Sequence, residues 1–398
     1  LPAVTSGDRL SLSYGKPRAV RSVRSIHSEI TTERPKLIKP NPFVKDLIPY
    51  VPGKPVEELE RELGITGAIK IASNENPIGP SPLALEAIRE ALPGLNRYPD
   101  GDAFYLKHKL AESLGVGPET IMFGNGSNDV IDVAARTFLS PGDEAVMGEY
   151  AFIVYPIVTK LAGASAVISP MPGYTHDLKD IYSRITPKTK AVFIANPNNP
   201  TGTMVFREEM EWFLNKIDED ILVVIDEAYF EYAHTPDYPN SLDFRSLGKS
   251  VLTVRTFSKI YGLAGLRLGY GIGPAEMVSS MHKSRHPFNT SSLAQTAAIA
   301  ALDDVEHVEK SREVNDTGLA YLAAELEKLG IEFAPSWANF VLVNLGQDPM
   351  PVYNALLREG VIVRPVGIYG LKTHLRVSVG IPEENERFIK AFKKVLGK

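Results

Sequence analysis

The sequence predicts an α/β protein: a three-layer α/β/α large domain built on a mostly parallel sheet, then a smaller α+β domain. Three observations predict this. Almost uninterrupted aliphatic runs at 190–195, 221–225 and 251–254 alternate with helical segments, and strands apolar on both faces belong to a parallel sheet covered by helices on each side. The last hundred or so residues interleave shorter strands with helices. At 398 residues the chain exceeds the usual span of one core, so a large and a smaller domain are expected.

Bulk composition removes several functional classes. A net charge of −5 argues against a dedicated nucleic-acid binder, and no apolar run approaches bilayer thickness. With no cysteine, disulfides, thiolate catalysis and cysteine-ligated metals are excluded; a reducing cytoplasm is allowed but not required, and a cytoplasmic location is the expectation. The eight histidines are scattered without metal-binding spacing, so no metal is expected.

In chain order, residues 1–40 hold eight Lys/Arg against three Asp/Glu, lack apolar periodicity and read as a flexible basic arm. A targeting peptide fits less well, because Asp8, Glu29 and Glu33 interrupt the acid-poor pattern. A Pro-rich lead-in from Asn41 becomes a short amphipathic helix at 56–63. A strand at 69–72 enters the turn SNENP (73–77), and Ser81 with Pro82 opens a helix to residue 92. After NRYPDG (96–101) comes a helix at 104–114. The strand 121–123 then runs into GNGSND (124–129) and a helix to 138. Strand, glycine turn and helix in that order aim free amides at an anion, although a simple capped turn accounts for them equally. Strands at 144–147 and 166–168 flank the aromatic patch YAFIVY (150–155). The strand 190–195 ends in NPNNPTG, a helix covers 207–217, and the strand 221–225 ends in DEAY. Further helices are expected at 293–302, 305–329, 352–359 and 383–396, with strands at 340–345, 361–363 and 375–379.

Three consecutive strands therefore deliver Asn199, then Asp226 and Tyr229, then Ser258 and Lys259 to one sheet edge, where open α/β sheets place ligands. A lysine in partly apolar surroundings loses proton affinity and attacks carbonyls, while Ser258 and Arg267 beside it would clamp a phosphate dianion. Together they describe a seat for pyridoxal phosphate; a solvated surface lysine is the bland alternative. Asp226, at the end of an aliphatic strand, loses hydration unless a positive group meets it. A pyridinium nitrogen would serve, and so would a turn that the carboxylate merely caps. Asn199 and Tyr229 carry donors suited to the cofactor's phenolic oxygen, but NPNNPTG also reads as a structural turn. Phe152 offers a flat face to a ring, or is core. Arg376 and Arg364, on strands with apolar neighbours, need an anion if they face inward: a substrate carboxylate or phosphate, or a salt bridge. The glycines at 269, 271 and 273 do not form a dinucleotide fingerprint.

The motifs NPNNPTG (196–202), IDEAY (225–229), TFSK (256–259) with GLAGLRLGY (262–270), and LRVSVG (375–380), with NRYPDG and SNENP, resemble those of fold-type I pyridoxal-phosphate aminotransferases. Within that group the chain is similar to the histidinol-phosphate aminotransferases, from about residue 41 to the C-terminus. The resemblance implies that Lys259 binds the cofactor covalently and moves the proton, and that Asp226 holds the pyridinium. Asn199 and Tyr229 bind the phenolic oxygen and Phe152 stacks on the ring. The amides of Ser127 and Asn128, with Ser258 and Arg267, hold the phosphate; Asn128 is a mild departure from the family pattern. Tyr98 would reach the same phosphate in a partner subunit, implying a homodimer with shared active sites. Tyr50, Arg364 and Arg376 would line the substrate pocket. The implied reaction exchanges an amino group between glutamate and imidazole-acetol phosphate, in histidine biosynthesis. Aromatic-amino-acid transaminases and a phosphothreonine decarboxylase share the scaffold and stay open as alternatives. A non-catalytic DNA-touching regulator is disfavoured, because residues 1–40 show no helix-turn-helix pattern. The expected division is an arm at 1–40, a segment at 41–72 joining the small domain, a large cofactor-binding domain at 73–292 and a small domain at 293–398.

Overall fold

The structure, a computed structural model, describes residues 38–398 apart from 46, 50 and 51. Tyr50, and the expected basic arm except its last three residues, lie outside the described residues. Residues 41–398 form one unit. It opens with α1 (Val56–Leu63), which has Glu57 and Glu58 in its first turn and ends on a left-handed Gly64. After β1 (Ile69–Lys70), Ser81 Oγ caps α2 (Pro82–Ala91) by accepting from the Ala84 amide. There follow α3 (Phe104–Leu114), β2 (Ile121–Asn125), α4 (Ser127–Phe138), β3 (Glu144–Gly148), α5 (Val154–Leu161) and β4 (Ser165–Ser169). The same sheet continues through α6 (Leu178–Ser183), β5 (Thr189–Ala195), α7 (Arg207–Lys216), β6 (Leu222–Asp226), β7 (Val251–Thr256), β8 (Leu268–Ile272) and α8 (Ala275–Ser284).

These strands form a seven-stranded sheet in the order β2-β8-β7-β6-β5-β3-β4. It is parallel except for β8, which runs antiparallel to both neighbours. Helices cover both faces, as the aliphatic strands predict. Val130, Ala134, Tyr155 and Met281 from α4, α5 and α8 pack on one side, and Ile181, Met210 and Phe213 from α6 and α7 on the other. Every residue of β6 is buried, so its terminal Asp226 is carried into the interior by its own hydrophobic strand.

The second half adds α9 (Ser292–Ala301), α10 (Val305–Lys328), β9 (Glu332–Ala334), β10 (Phe340–Asn344), α11 (Met350–Arg358), β11 (Val361–Ile362), β12 (Arg364–Pro365), β13 (His374–Ser378) and α12 (Pro382–Leu396). Here β12-β13-β10-β9 make an antiparallel sheet under Leu322, Leu326, Leu356, Phe388 and Phe392, while β1 pairs in parallel with β11. Ile69 and Ile71, at the end of the segment 41–72, pack in the same core as the small sheet. Helix α9 packs its alanines 294, 297, 298 and 301 against Ala84, Leu106 and Leu110, on the side of the large sheet. The division expected at 292/293 therefore precedes a helix that still belongs, by its packing, with the large sheet.

Candidate active site

Strands β5, β6 and β7 run parallel and end on the same edge, where Asn199, Asp226, Ser258 and Lys259 line one cavity of about 230 Å³. Ser127, Asn128, Phe152, Tyr229 and Arg267 line the same cavity, as do Arg364 and Arg376 from the small sheet. Tyr98 lies elsewhere: it is 84% exposed and stacks on Phe288 with ring centroids 4.9 Å apart.

Asp226 is buried. Its Oδ1 accepts from the Ala228 amide at 3.1 Å and its Oδ2 from the Tyr155 hydroxyl at 2.8 Å. Both donors are uncharged, and burial pushes the carboxyl up to about 6 against the pull of those bonds. A carboxylate in this state is stabilised by a cation brought to it, such as a protonated pyridine nitrogen. Burial acts oppositely on Lys259, lowering its amine to about 8, with the positive charge of Arg376 adding to the effect. The amine donates to the Asn74 carbonyl at 3.3 Å. A lysine that releases its proton near neutrality is a nucleophile suited to an aldehyde.

An anion seat lies at the start of α4. Gly126 precedes this helix with φ +80°, and a Cβ there would stand 2.3 Å from Arg267 Nη2, so the glycine admits the guanidinium against the helix start. Arg267 Nη1 also donates to Ser258 Oγ at 3.4 Å and to the Ala264 carbonyl at 3.2 Å. Free helix amides, a guanidinium and a hydroxyl converge as a phosphate monoester requires. Toward the small sheet, Arg376 Nη1 donates to Asn199 Oδ1 at 2.6 Å and its Nη2 to the Ala72 carbonyl at 2.7 Å. That bond occupies the Asn199 carbonyl and leaves the amide as its donor toward the cavity. Arg364 is the cross-strand partner of Arg376, so two guanidinium groups face one space.

The groups thus match pyridoxal phosphate part by part: an amine for its aldehyde, an acid for its nitrogen, donors for its phenol and a cradle for its phosphate. Sequence reading assigned no role to Tyr155, whose ring stacks on Phe193 (5.0 Å, 12°) and meets Phe152 edge-on (5.8 Å, 82°). The available signal is the aromatic run itself, with Phe152 just before α5 and Tyr155 in its first turn. Pro156 obscured it, although proline is tolerated in a first turn.

The model of the family described as "Aminotransferase class I and II" matches residues 66–392. Histidinol-phosphate aminotransferase 2 of Pseudomonas fluorescens is 50% identical over 359 residues, which cover 90% of this chain and 97% of that protein. Its namesake from Pseudomonas aeruginosa is 51% identical over 357 residues, covering 89% and 97%. The crystal structure of histidinol-phosphate aminotransferase from Sinorhizobium meliloti in complex with pyridoxal-5'-phosphate matches with a TM-score of 0.84 at 29% identity, covering 91% of this chain and 98% of that one.

Proposed function

The chain belongs to the aminotransferase class I and II family, and from that premise we propose that it moves an amino group from L-glutamate to imidazole-acetol phosphate, giving 2-oxoglutarate and L-histidinol phosphate. It is a pyridoxal-phosphate-dependent aminotransferase with the fold-type I architecture. The substrate reading rests on one observation above all: relatives half identical along nearly their whole length carry that activity in their names. Two guanidinium groups beside Lys259 agree with it, since both keto substrates carry anionic ends, carboxylates in one and a phosphate in the other.

Bound pyridoxal phosphate supplies an aldehyde to take up the amino group and a ring to accept the electron pair left at the substrate's Cα. The side chains do the rest. Lys259 has its amine poised near neutrality, so it takes the Cα proton and returns it on the other side of the exchange. Asp226 keeps the ring nitrogen protonated, Asn199 and Tyr229 donate to the phenolic oxygen, and Phe152 supports the ring face. Arg267, Ser258 and the amides of Ser127 and Asn128 anchor the phosphate. Arg376 takes the glutamate carboxylate and, with Arg364, the phosphate of the alternate substrate, so one pair serves both partners in turn. We assign Tyr98 to the phosphate of a second copy and Tyr50 to the substrate pocket. A homodimer follows from that assignment, supported by two exposed aromatic pairs, Tyr98 with Phe288 and Phe104 with Tyr105. A cytoplasmic location agrees with a chain free of cysteine.

The test compares L-histidinol phosphate with L-phenylalanine as amino donor, each with 2-oxoglutarate. A kcat/KM favouring histidinol phosphate is expected. Preference for phenylalanine would replace the substrate assignment with an aromatic one while leaving the transaminase chemistry in place.

A further inference from the structure

The turn SNENP holds a residue to which neither the motif reading nor the substrate scheme gives work. Asn74 is 1% exposed and has φ +55°, a left-handed conformation that asparagine tolerates better than most side chains. All of its polar groups are engaged. Its amide nitrogen donates to Ser378 Oγ at 2.9 Å, and its side-chain Oδ1 accepts from the same hydroxyl at 2.8 Å. Its Nδ2 donates to Tyr229 Oη at 2.9 Å, and its carbonyl receives the Lys259 amine at 3.3 Å. A turn that needed only a left-handed residue would be met by glycine; this one spans two hydroxyls and an amine from three separate parts of the chain.

The directions of these bonds follow from counting protons. Ser378 Oγ already accepts the Asn74 N–H, so its own proton goes to Oδ1, and that orients the amide with Nδ2 toward Tyr229. Burial raises the Tyr229 phenol to about 12, so it stays protonated, and the Asn74 bond makes its oxygen an acceptor on that side. Its O–H is thereby directed away from Asn74 and into the cavity that the ring lines. Ser378 sits two residues beyond Arg376 on β13, and residues two apart share a strand face, so one face carries both the substrate-facing cation and the serine that orients Asn74.

We propose that Asn74 is a positioning residue of the reaction: with Ser378 it fixes Tyr229 as a hydrogen-bond donor into the cavity and holds the Lys259 amine beside it. This rests on the transaminase reading above, in which Tyr229 meets the cofactor's phenolic oxygen. An oxygen anion held by a donor binds a neighbouring proton less tightly, so the bound cofactor's visible band titrates at lower pH with the donor than without it. Asn74→Asp preserves size and turn preference but replaces the Nδ2 donor with an oxygen that can only accept, drawing the Tyr229 proton back toward residue 74.

The experiment titrates the visible band of the cofactor-loaded wild type, Asn74→Asp and Ser378→Ala, each with Tyr229 and with Tyr229→Phe. The midpoint is expected to rise by about one pH unit or more in Asn74→Asp and by less in Ser378→Ala. Neither change should shift it further once Tyr229 is Phe. An unchanged midpoint in both variants overturns the inference, and so does a full shift that persists without the Tyr229 hydroxyl, which would be a bare charge effect. Ser378→Ala carries the test alone if Asn74→Asp does not retain cofactor. A wild type lacking any titrating band would sink the transaminase reading itself, an outcome distinct from failure of the Asn74 role.

Discussion

Tyr155 and Lys259 show how burial sets the chemistry of single groups here. The Tyr155 hydroxyl is one of two neutral donors to the buried Asp226 carboxylate. Without it, the acid is expected to rise above its present value of about 6 and to hold a ring proton less well. Tyr155→Phe should therefore weaken cofactor binding roughly tenfold, the worth of one hydrogen bond to a charged group, as read by absorbance titration. Unchanged affinity would show that Asp226 needs no such support. For Lys259 the sign runs the other way. The unfolded chain keeps this proton up to about 10.5, whereas the fold releases it near 8, so between those values the unfolded state binds more protons and stability rises with pH. Below 8 the penalty is complete. Lys259→Met is accordingly expected to stabilise the cofactor-free protein at pH 7, with the advantage shrinking toward pH 10.5. Denaturant midpoints at the two pH values check this, and no gain at pH 7 would mean that the amine is well hydrated.

Helix α4 and strand β8 form the element on which the proposed phosphate seat rests. A Cβ on Gly269 would stand 2.3 Å from the Ser127 amide nitrogen, so the bare backbone of β8 lets the start of α4 lie against the sheet. Gly269→Ala is expected to raise the cofactor Kd by at least about tenfold and to cost roughly 1–3 kcal/mol of stability, an overpacking penalty. Retained affinity and melting temperature would contradict so close an approach. The same glycines explain why β8 is not legible as a strand: Gly269 and Gly271 break its apolar pattern, though each clears room for a side chain or amide of α4. Strands β5, β6 and β7 are legible because an aliphatic run bounded by polar turns has few other destinations, and the structure sets their bounds within two residues of the expected ones. Helix α5 was hidden by its aromatics and Pro156. That Lys259, Asp226 and Ser258 come to one sheet edge follows from the strand ends, whereas the bonds of Tyr155 and Asn74 do not, because their partners lie 71 and 155 residues away in sequence.

At the scale of the whole molecule, the site exists where two sheets meet. Arg376 on β13 bonds to Asn199 beyond β5 and to Ala72 before the SNENP turn, and the Trp337 amide donates to the Gly202 carbonyl. Loss of the small-sheet contacts would therefore strip the cavity of Arg364 and Arg376 while leaving Lys259, Arg267 and Asp226 with the large sheet. A second copy is expected to cover the exposed aromatic surface, where Tyr105 is 77% and Phe288 48% exposed. Tyr105→Glu with Phe288→Glu should sediment as a monomer and lose cofactor more readily than the wild type. A wild type that sediments as a monomer would remove the shared-site role of Tyr98. In the proposed reaction the amine of Lys259 and the acid of Asp226 hold one cofactor between them. The direct measurement is borohydride reduction of the cofactor-loaded protein, followed by peptide mass spectrometry. The reduced pyridoxyl mass is expected on Lys259, at high occupancy in the wild type and far lower in Asp226→Ala; the mass on any other lysine, or occupancy indifferent to Asp226, would contradict that pairing.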